Sequence, residues 1–241
     1  MLSALLPSSA AAAAQVTPSG AQVPENLLRI VLHLDAPLSA PLDMRHVSLL
    51  DSKGAVIDGV FLDLPLEDPE HKEVTLLLHP GRIKTGVGPN LALGMALREG
   101  QAVVLRIDDP QLGQTVEKHW RVVQAVRTPL APADWRVHAV KRSSRQALSV
   151  AFPAALDSDA ASLLALQGPD GQRVAGRAVL AAGEQEWRFV PARPWRPGHY
   201  LLRVHPRLED PQGNRLCSAF EQAAQSAQQC DEEGQRTFII D

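Results

Sequence analysis

The stretch LRIVLHLDAPL, Leu28 to Leu38, decides the reading of this chain. Leu28, Ile30, Leu32 and Leu34 alternate with Arg29, Val31 and His33, the period of two expected of a strand with one buried face. The run then ends in Asp35-Ala36-Pro37-Leu38. The same sentence is written again at LSVAFPAAL, Leu148 to Leu156, where Leu148, Val150 and Phe152 alternate with Ser149 and Ala151 before Pro153-Ala154-Ala155-Leu156.

Outward from these two stretches the halves of the chain stay in step. Val47 to Leu50 leads into Asp51-Ser52-Lys53-Gly54, and Leu163 to Leu166 into Gly168-Pro169-Asp170-Gly171. Both read as strand, Gly-containing turn and strand, a β-hairpin. An alternating strand follows in each half, with Val74, Leu76 and Leu78 inward in one, Trp187 and Phe189 in the other. A Gly-led strand comes next, Gly100 to Ile107 and Gly198 to Val204, and then a turn, DPQLG from Asp109 or DPQGN from Asp210. In DPQGN, Gly213 and Asn214 are expected to supply positive φ. Trp120 and Val122 close the first half, Phe238 and Ile240 the second. Short strands at this spacing, with no long helical pattern between them, predict two tandem antiparallel β-sandwiches. The predicted divisions are a segment 1–22, a first domain 23–127 and a second domain 128–241, joined by the Pro-rich TPLAPA connector at Thr128 to Ala133.

Two segments break the repeat. Pro80 to Glu99 has no full counterpart in the second half and reads as a Gly-rich loop with a short helix around Leu91 to Leu97. Cys217 to Glu233 is a polar insertion before the last strand. Function on a rigid sandwich concentrates in loops, so residues 80–99 and 217–233 are the first candidates for contacts.

The 241 residues contain 45% hydrophobic but only 4% aromatic residues, so aliphatic side chains must fill most of the interior. A net charge of −3 supplies no basic footprint for nucleic acid, and no stretch is long and apolar enough to span a membrane. MLSALLPSSAAAAA, Met1 to Ala14, resembles the apolar and cleavage parts of a secretory signal but lacks a charged start; the other reading is an Ala/Ser tail. Export is the expectation, and the cysteines agree with it. Cys217 and Cys230 are the only two thiols, and a bridge between them would contribute about 3 kcal/mol in an oxidising compartment.

Several of these stretches together resemble a family of exported bacterial proteins. They are VPENLLRIVLHLDAPLS (23–39), RHVSLLDSKGAVIDGVFLDL (45–64), LLLHPGRIK (76–84), the PW-x-PG-x-Y segment (194–200) and LEDPQGNRL (208–216). The resemblance covers Val23 to Leu216 and Phe238 to Asp241. It implies immunoglobulin-like domains of the kind found in surface-layer proteins, a periplasmic or envelope location, and no assigned enzymatic activity. The chain departs from the family at Leu38, where Met is common, and in the cysteine-bearing insertion, which therefore inherits no role from relatives.

Catalytic patterns are not found in the sequence. There is no G-x-S-x-G elbow, and GRIKTGVG at Gly81 to Gly88 lacks the ending of a phosphate loop, although Arg82 and Lys84 could meet an anion. Asp108 and Asp109 are adjacent on a strand end and should diverge. The acidic runs Glu67-Asp68-Pro69-Glu70 and Asp231-Glu232-Glu233 lack calcium-loop spacing. None of the eight histidines makes an H-x-x-x-H pair; His33, His199 and His205 are expected on solvated faces, the last two beside Arg203. Trp187 is expected in the core, with Trp195 and Tyr200 packed at a tyrosine-type corner. The sequence thus predicts an all-β protein of two tandem immunoglobulin-like sandwiches, non-enzymatic and without a cofactor, binding a protein or envelope component. The alternative is a periplasmic copper-type metal carrier using surface histidines such as His199 and His205.

Overall fold

A computed structural model describes residues 14–83, 88–181, 183–220 and 234–241. The chain folds as two compact units, one of residues 1–17 and 29–124, the other of 18–28 and 125–241.

The first domain contains β1 (Ala14–Thr17), β3 (Arg29–Leu34), β4 (Val47–Leu50), β5 (Leu66–Glu67), β6 (Glu73–Leu77), β7 (Ala102–Ile107) and β8 (Val116–Val123). The short β2 (Gln22–Pro24) lies in the segment grouped with the second domain. One sheet has the order β1-β3-β6-β5, and β4, β7 and β8 run antiparallel beside one another in a second. The second domain contains β9 (Arg136–His138), β10 (Leu148–Ala151), β11 (Leu164–Gln167), β12 (Gly176–Leu180), β13 (Glu186–Pro191), β14 (Gly198–Val204) and β15 (Gln235–Ile240). Its sheets are β12-β13-β10-β9 and β11-β14-β15.

Lettering the seven strands of either domain A to G in chain order gives A-B-E-D on one side and C-F-G on the other. That is the connectivity of an immunoglobulin constant-type sandwich, and the molecule carries it twice. The two hairpins predicted from sequence begin and then part. Ile57 donates to the Leu49 carbonyl and Val174 to that of Leu166, but β5 and β12 then pair with β6 and β13. Strand D thus crosses to the other sheet, a long-range choice that local turn chemistry does not specify.

The two cores differ. Ile30, Leu32, Leu49, Val74, Leu76, Leu105 and Ile107 fill the first domain with aliphatic carbon, aided by Trp120. The second has an aromatic spine, running from Trp187 through Phe189, Trp195 and Tyr200 to Phe238, with successive ring centroids 5.4, 6.1, 5.6 and 5.5 Å apart. Burying rings of this size contributes about 2–3 kcal/mol each.

Three features differ from the sequence expectations. Ala14–Thr17, expected in a signal-like or disordered segment, is strand A, in register from Ala14 opposite Leu34 to Thr17 opposite Val31 with Val16 inward. Ala, Ser, Pro and Gly around it hide the strand from a pattern search. Val31, expected on the outer face, is buried, lying opposite Thr17 of β1 and Thr75 of β6. Residues 18–28 group with the second domain, and Asn26 shows why. Its side chain donates to the Val126 carbonyl at 2.7 Å and accepts from the Val126 amide at 3.0 Å, replacing a strand neighbour. Leu28 donates its amide to the Pro211 carbonyl, which removes it from the strand it was expected to begin.

Candidate functional site

In a sandwich of this connectivity the A–B, C–D and E–F loops share one end, and the B–C, D–E and F–G loops share the other. Each end offers candidate surfaces.

The insertion at residues 80–99 is the E–F loop of the first domain. Its foot is fastened. His79 accepts the Gly81 amide on Nδ1, and the buried Arg82 donates from Nη1 to the Gly94 carbonyl at 2.8 Å. Ala96 donates back to the Arg82 carbonyl, and Ala96 and Leu97 are buried. The helix α1 spans Gly88–Leu93 rather than the predicted 91–97, because Gly94 turns left-handed, with φ of +75°, and stops it. Between these anchors Leu91 stands 78% and Leu93 53% exposed, with Leu93 against Gly59 of the C–D loop. Val56 and Leu64 of that loop are exposed as well. Lys84 lies outside the described residues, and Arg82 Nε is buried without a hydrogen-bond partner.

The corresponding corner of the second domain is short and tightly bonded. The Tyr200 hydroxyl donates to the Arg196 carbonyl at 2.9 Å and accepts from the Arg196 amide at 3.2 Å. This is the tyrosine corner expected from sequence, at the start of strand F. Trp195 Nε1 donates to the Gln146 carbonyl at 2.8 Å, so Trp195 is a corner residue and not a stacking platform. A cleft of about 520 Å³ opens beside it, lined by Arg173, Arg193 and Arg196 among others. Arg196 pairs with Asp170, and that hydrogen bond is the main reason the Asp170 carboxyl is held below its ordinary pKa.

At the opposite end of this domain a cleft of about 700 Å³ is lined by the connector from Thr128 to Asp134, by Trp135 and Phe152, and by Asp210. Asp210 is buried and shapes the F–G turn, accepting from the Gln212 and Asn214 amides and from Asn214 Nδ2. Gly213 takes the positive φ the turn needs, at +80°, but Asn214 does not, contrary to expectation. Asn214 works through its side chain, which is fully buried, donates to Asp210 and Val126 and accepts from the Phe220 amide. Cys217, also buried, begins the second insertion with φ of +60°. Its predicted partner Cys230, with the rest of 221–233, lies outside the described residues.

The other candidates stand apart from one another. His199 and Arg203 do share the exposed face of β14, opposite buried Tyr200, Leu202 and Val204, and the exposed His205 follows the strand's end. His205 Nδ1 accepts the Arg207 amide at 3.1 Å. His33 faces Glu73 at 3.3 Å. Among the described residues no three His, Cys, Asp or Glu side chains gather where they could hold a metal ion, so the carrier alternative gains no ligand set there. Asp109 is buried and caps Gln111, whereas Asp108 accepts from Thr115, so the adjacent carboxylates diverge. Asp68 is a turn residue, its carboxyl held low chiefly by the Glu73 amide. Asp43 is lowered to about 2, first by its side-chain hydrogen bond with Arg45. Among the described residues no helix is long and apolar enough to cross a membrane.

No family model and no curated protein matches the chain. Among solved structures it is similar to a chimeric titin Z1Z2 carrying an exogenous peptide from decorin, at 11% identity over 96% of each chain with a TM-score of 0.28. A titin Ig tandem aligns at 8% identity over 91% of this chain and 89% of that one, with a TM-score of 0.26. A fragment of native alpha-2-macroglobulin from Escherichia coli aligns at 13% over 88% and 85%, with a TM-score of 0.25. Likeness at this level adds no argument; the immunoglobulin-like assignment rests on the strand order found in each domain.

Proposed function

We propose that this chain is a non-enzymatic, exported module of the bacterial cell envelope that binds a protein partner through the insertion at residues 80–99. One observation carries the reading. The insertion is fastened at its foot through Arg82, Ala96 and Leu97, yet it presents Leu91 and Leu93 to solvent. Exposed apolar side chains on a held loop suit recognition, because little ordering entropy is lost when a partner covers them. An oxidising envelope would favour a disulfide between Cys217 and Cys230.

The test is a double substitution, Leu91→Ser with Leu93→Ser, in the protein purified from its own host. The expected result is loss of the copurifying partner with an unchanged melting temperature. Retention of the partner by the folded variant overturns the assignment. Intact mass with and without reductant tests the setting: loss of residues ahead of strand A, and a gain of two hydrogens on reduction, are expected. A full-length, unbridged chain overturns export.

A further inference from the structure

The second domain carries a strongly basic pole that the net charge of the chain conceals. Its A–B loop holds Lys141, Arg142 and Arg145, its C–D turn Arg173, and its E–F corner Arg193 and Arg196, all exposed. These three loops share an end of the sandwich, and hydrogen bonds stitch them together. Ser143 donates its amide to the Trp195 carbonyl, Trp195 donates to that of Ser144, and Ala192 donates to that of Ala175. Arg145 Nε also reaches the Pro191 carbonyl. Among the described residues Asp170 is the one carboxylate in ion-pair contact with these cations, and it is taken by Arg196. Arginine outnumbers lysine here five to one, which favours the planar, two-pronged grip on carboxylates over diffuse attraction.

Beside the pole runs a sheet edge, which the short helix α2 (Ala160–Leu163) also approaches. β12 is the last strand of its sheet. The bonds from Ala192 to the Ala175 carbonyl and from Ala181 to the Glu186 carbonyl set the parity of its pairing with β13. In an antiparallel ladder every second residue bonds to the neighbour, so Arg177 and Val179 face β13 while Gly176 and Ala178 turn their amides and carbonyls outward. Arg177 adds a further cation on the solvent face of that strand. Gly176 is closely seated, since a Cβ there would meet Phe189 Cζ at 2.3 Å and the Val190 carbonyl at 2.4 Å.

We infer that this pole and edge together receive an extended acidic segment of a partner protein. The segment adds as a strand beside β12, bonds through Gly176 and Ala178, and sets its carboxylates against Arg173, Arg177 and Arg193. Charge complementarity selects an anionic partner, and the outward backbone groups select a polypeptide over a lipid surface or nucleic acid. The inference shares with the proposed function only the reading of the chain as a binding module; it uses a different domain, so either can fail alone.

The test uses the full chain and a labelled heptapeptide, Glu-Thr-Glu-Thr-Glu-Thr-Glu, whose alternation places all carboxylates on one face. Binding by fluorescence anisotropy at low salt is expected, falling as salt rises. The pair Arg173→Glu and Arg193→Glu should weaken it at least about tenfold, which is about 1.4 kcal/mol for the two exposed contacts together. The pair Lys53→Glu and Lys72→Glu, in the first domain, should leave it unchanged, as should the Leu91 and Leu93 substitutions. Amide exchange at Gly176 and Ala178 should slow on binding. Absence of binding, insensitivity to the arginine reversals, or unprotected β12 amides overturns the inference. Tighter binding to phosphatidylglycerol vesicles or to a single-stranded oligonucleotide overturns it too.

Discussion

Tyr200→Phe is the most direct probe of the corner that closes the second domain. The chain has one tyrosine, so the substitution removes one oxygen and changes no other phenol. Packing should survive, because the ring keeps its neighbours Trp195 and Phe238 at 5.6 and 5.5 Å. Two hydrogen bonds are lost, to the Arg196 carbonyl and from the Arg196 amide. Net values of about 0.5–1.5 kcal/mol each give a loss near 2 kcal/mol. The adjacent cleft lets water reach the released groups, which keeps the loss below the full cost of burying them unpaired. In a domain of this size about 2 kcal/mol lowers the melting temperature by roughly 8 °C. Urea unfolding followed by tryptophan fluorescence is the assay, since Trp135, Trp187 and Trp195 all lie in the second domain and Trp120 alone in the first. The midpoint should fall with an unchanged m-value. A loss below about 0.5 kcal/mol would refute the reasoning, because it would mean that solvent replaces both bonds without cost.

Other consequences follow from the same geometry. Trp187→Ala removes a fully buried ring stacked on Phe189 and should cost about 3–5 kcal/mol, read as a lost or much lowered second-domain transition. Asn26→Ala removes two hydrogen bonds to Val126, leaving its amide without Asn26 while its carbonyl keeps the Asn214 donor, and should cost about 1–2 kcal/mol in chemical denaturation, with no effect of that size if residues 18–28 are a passive linker. Asp43 should titrate near pH 2 by carboxyl carbon NMR instead of near its ordinary 3.8. Because its pKa is lower in the folded state, its contribution is complete above about 3.8 and fades as pH falls through about 2; a midpoint near 3.8 would discard the Arg45 pairing as the cause.

Much of the architecture was legible because sandwich strands announce themselves one at a time. Alternation at Ile30, Leu32 and Leu34, or at Leu148 and Val150, needs no knowledge of partners, and the structure buries those residues. Connectivity was not legible in the same way. The turns after Leu50 and Gln167 look like hairpin turns, and for two or three residues they are. The departure of strand D to the opposite sheet depends on β6 and β13, more than twenty residues away from the turn in the first domain. Val126 shows the limit again, for its neighbours Asn26 and Asn214 come from either side of it at long range. A motif such as PENLLR can be recognised as distinctive while the reason for its Asn stays hidden.

The basic pole was missed for a related reason. Lys141 to Arg145, Arg173 and Arg193 to Arg196 are three short runs, each ordinary for a polar loop. A net charge of −3 averages them against acids that fold elsewhere. In the second domain Glu184 and Glu209 sit at the opposite end, where Leu156 and Asp157 donate their amides to the carbonyls of those two residues. The A-B-E-D and C-F-G connectivity alternates loops between the two ends, so charge that is interleaved along the chain becomes segregated in space. Summing charge by loop parity, once the strands had been lettered, would have exposed the pole from sequence alone. A surface sorted in this way acts locally at physiological ionic strength, where fields fade within about 8 Å. What a partner meets is therefore the charge of one end of one domain, and the sign of the whole chain is a poor guide to it.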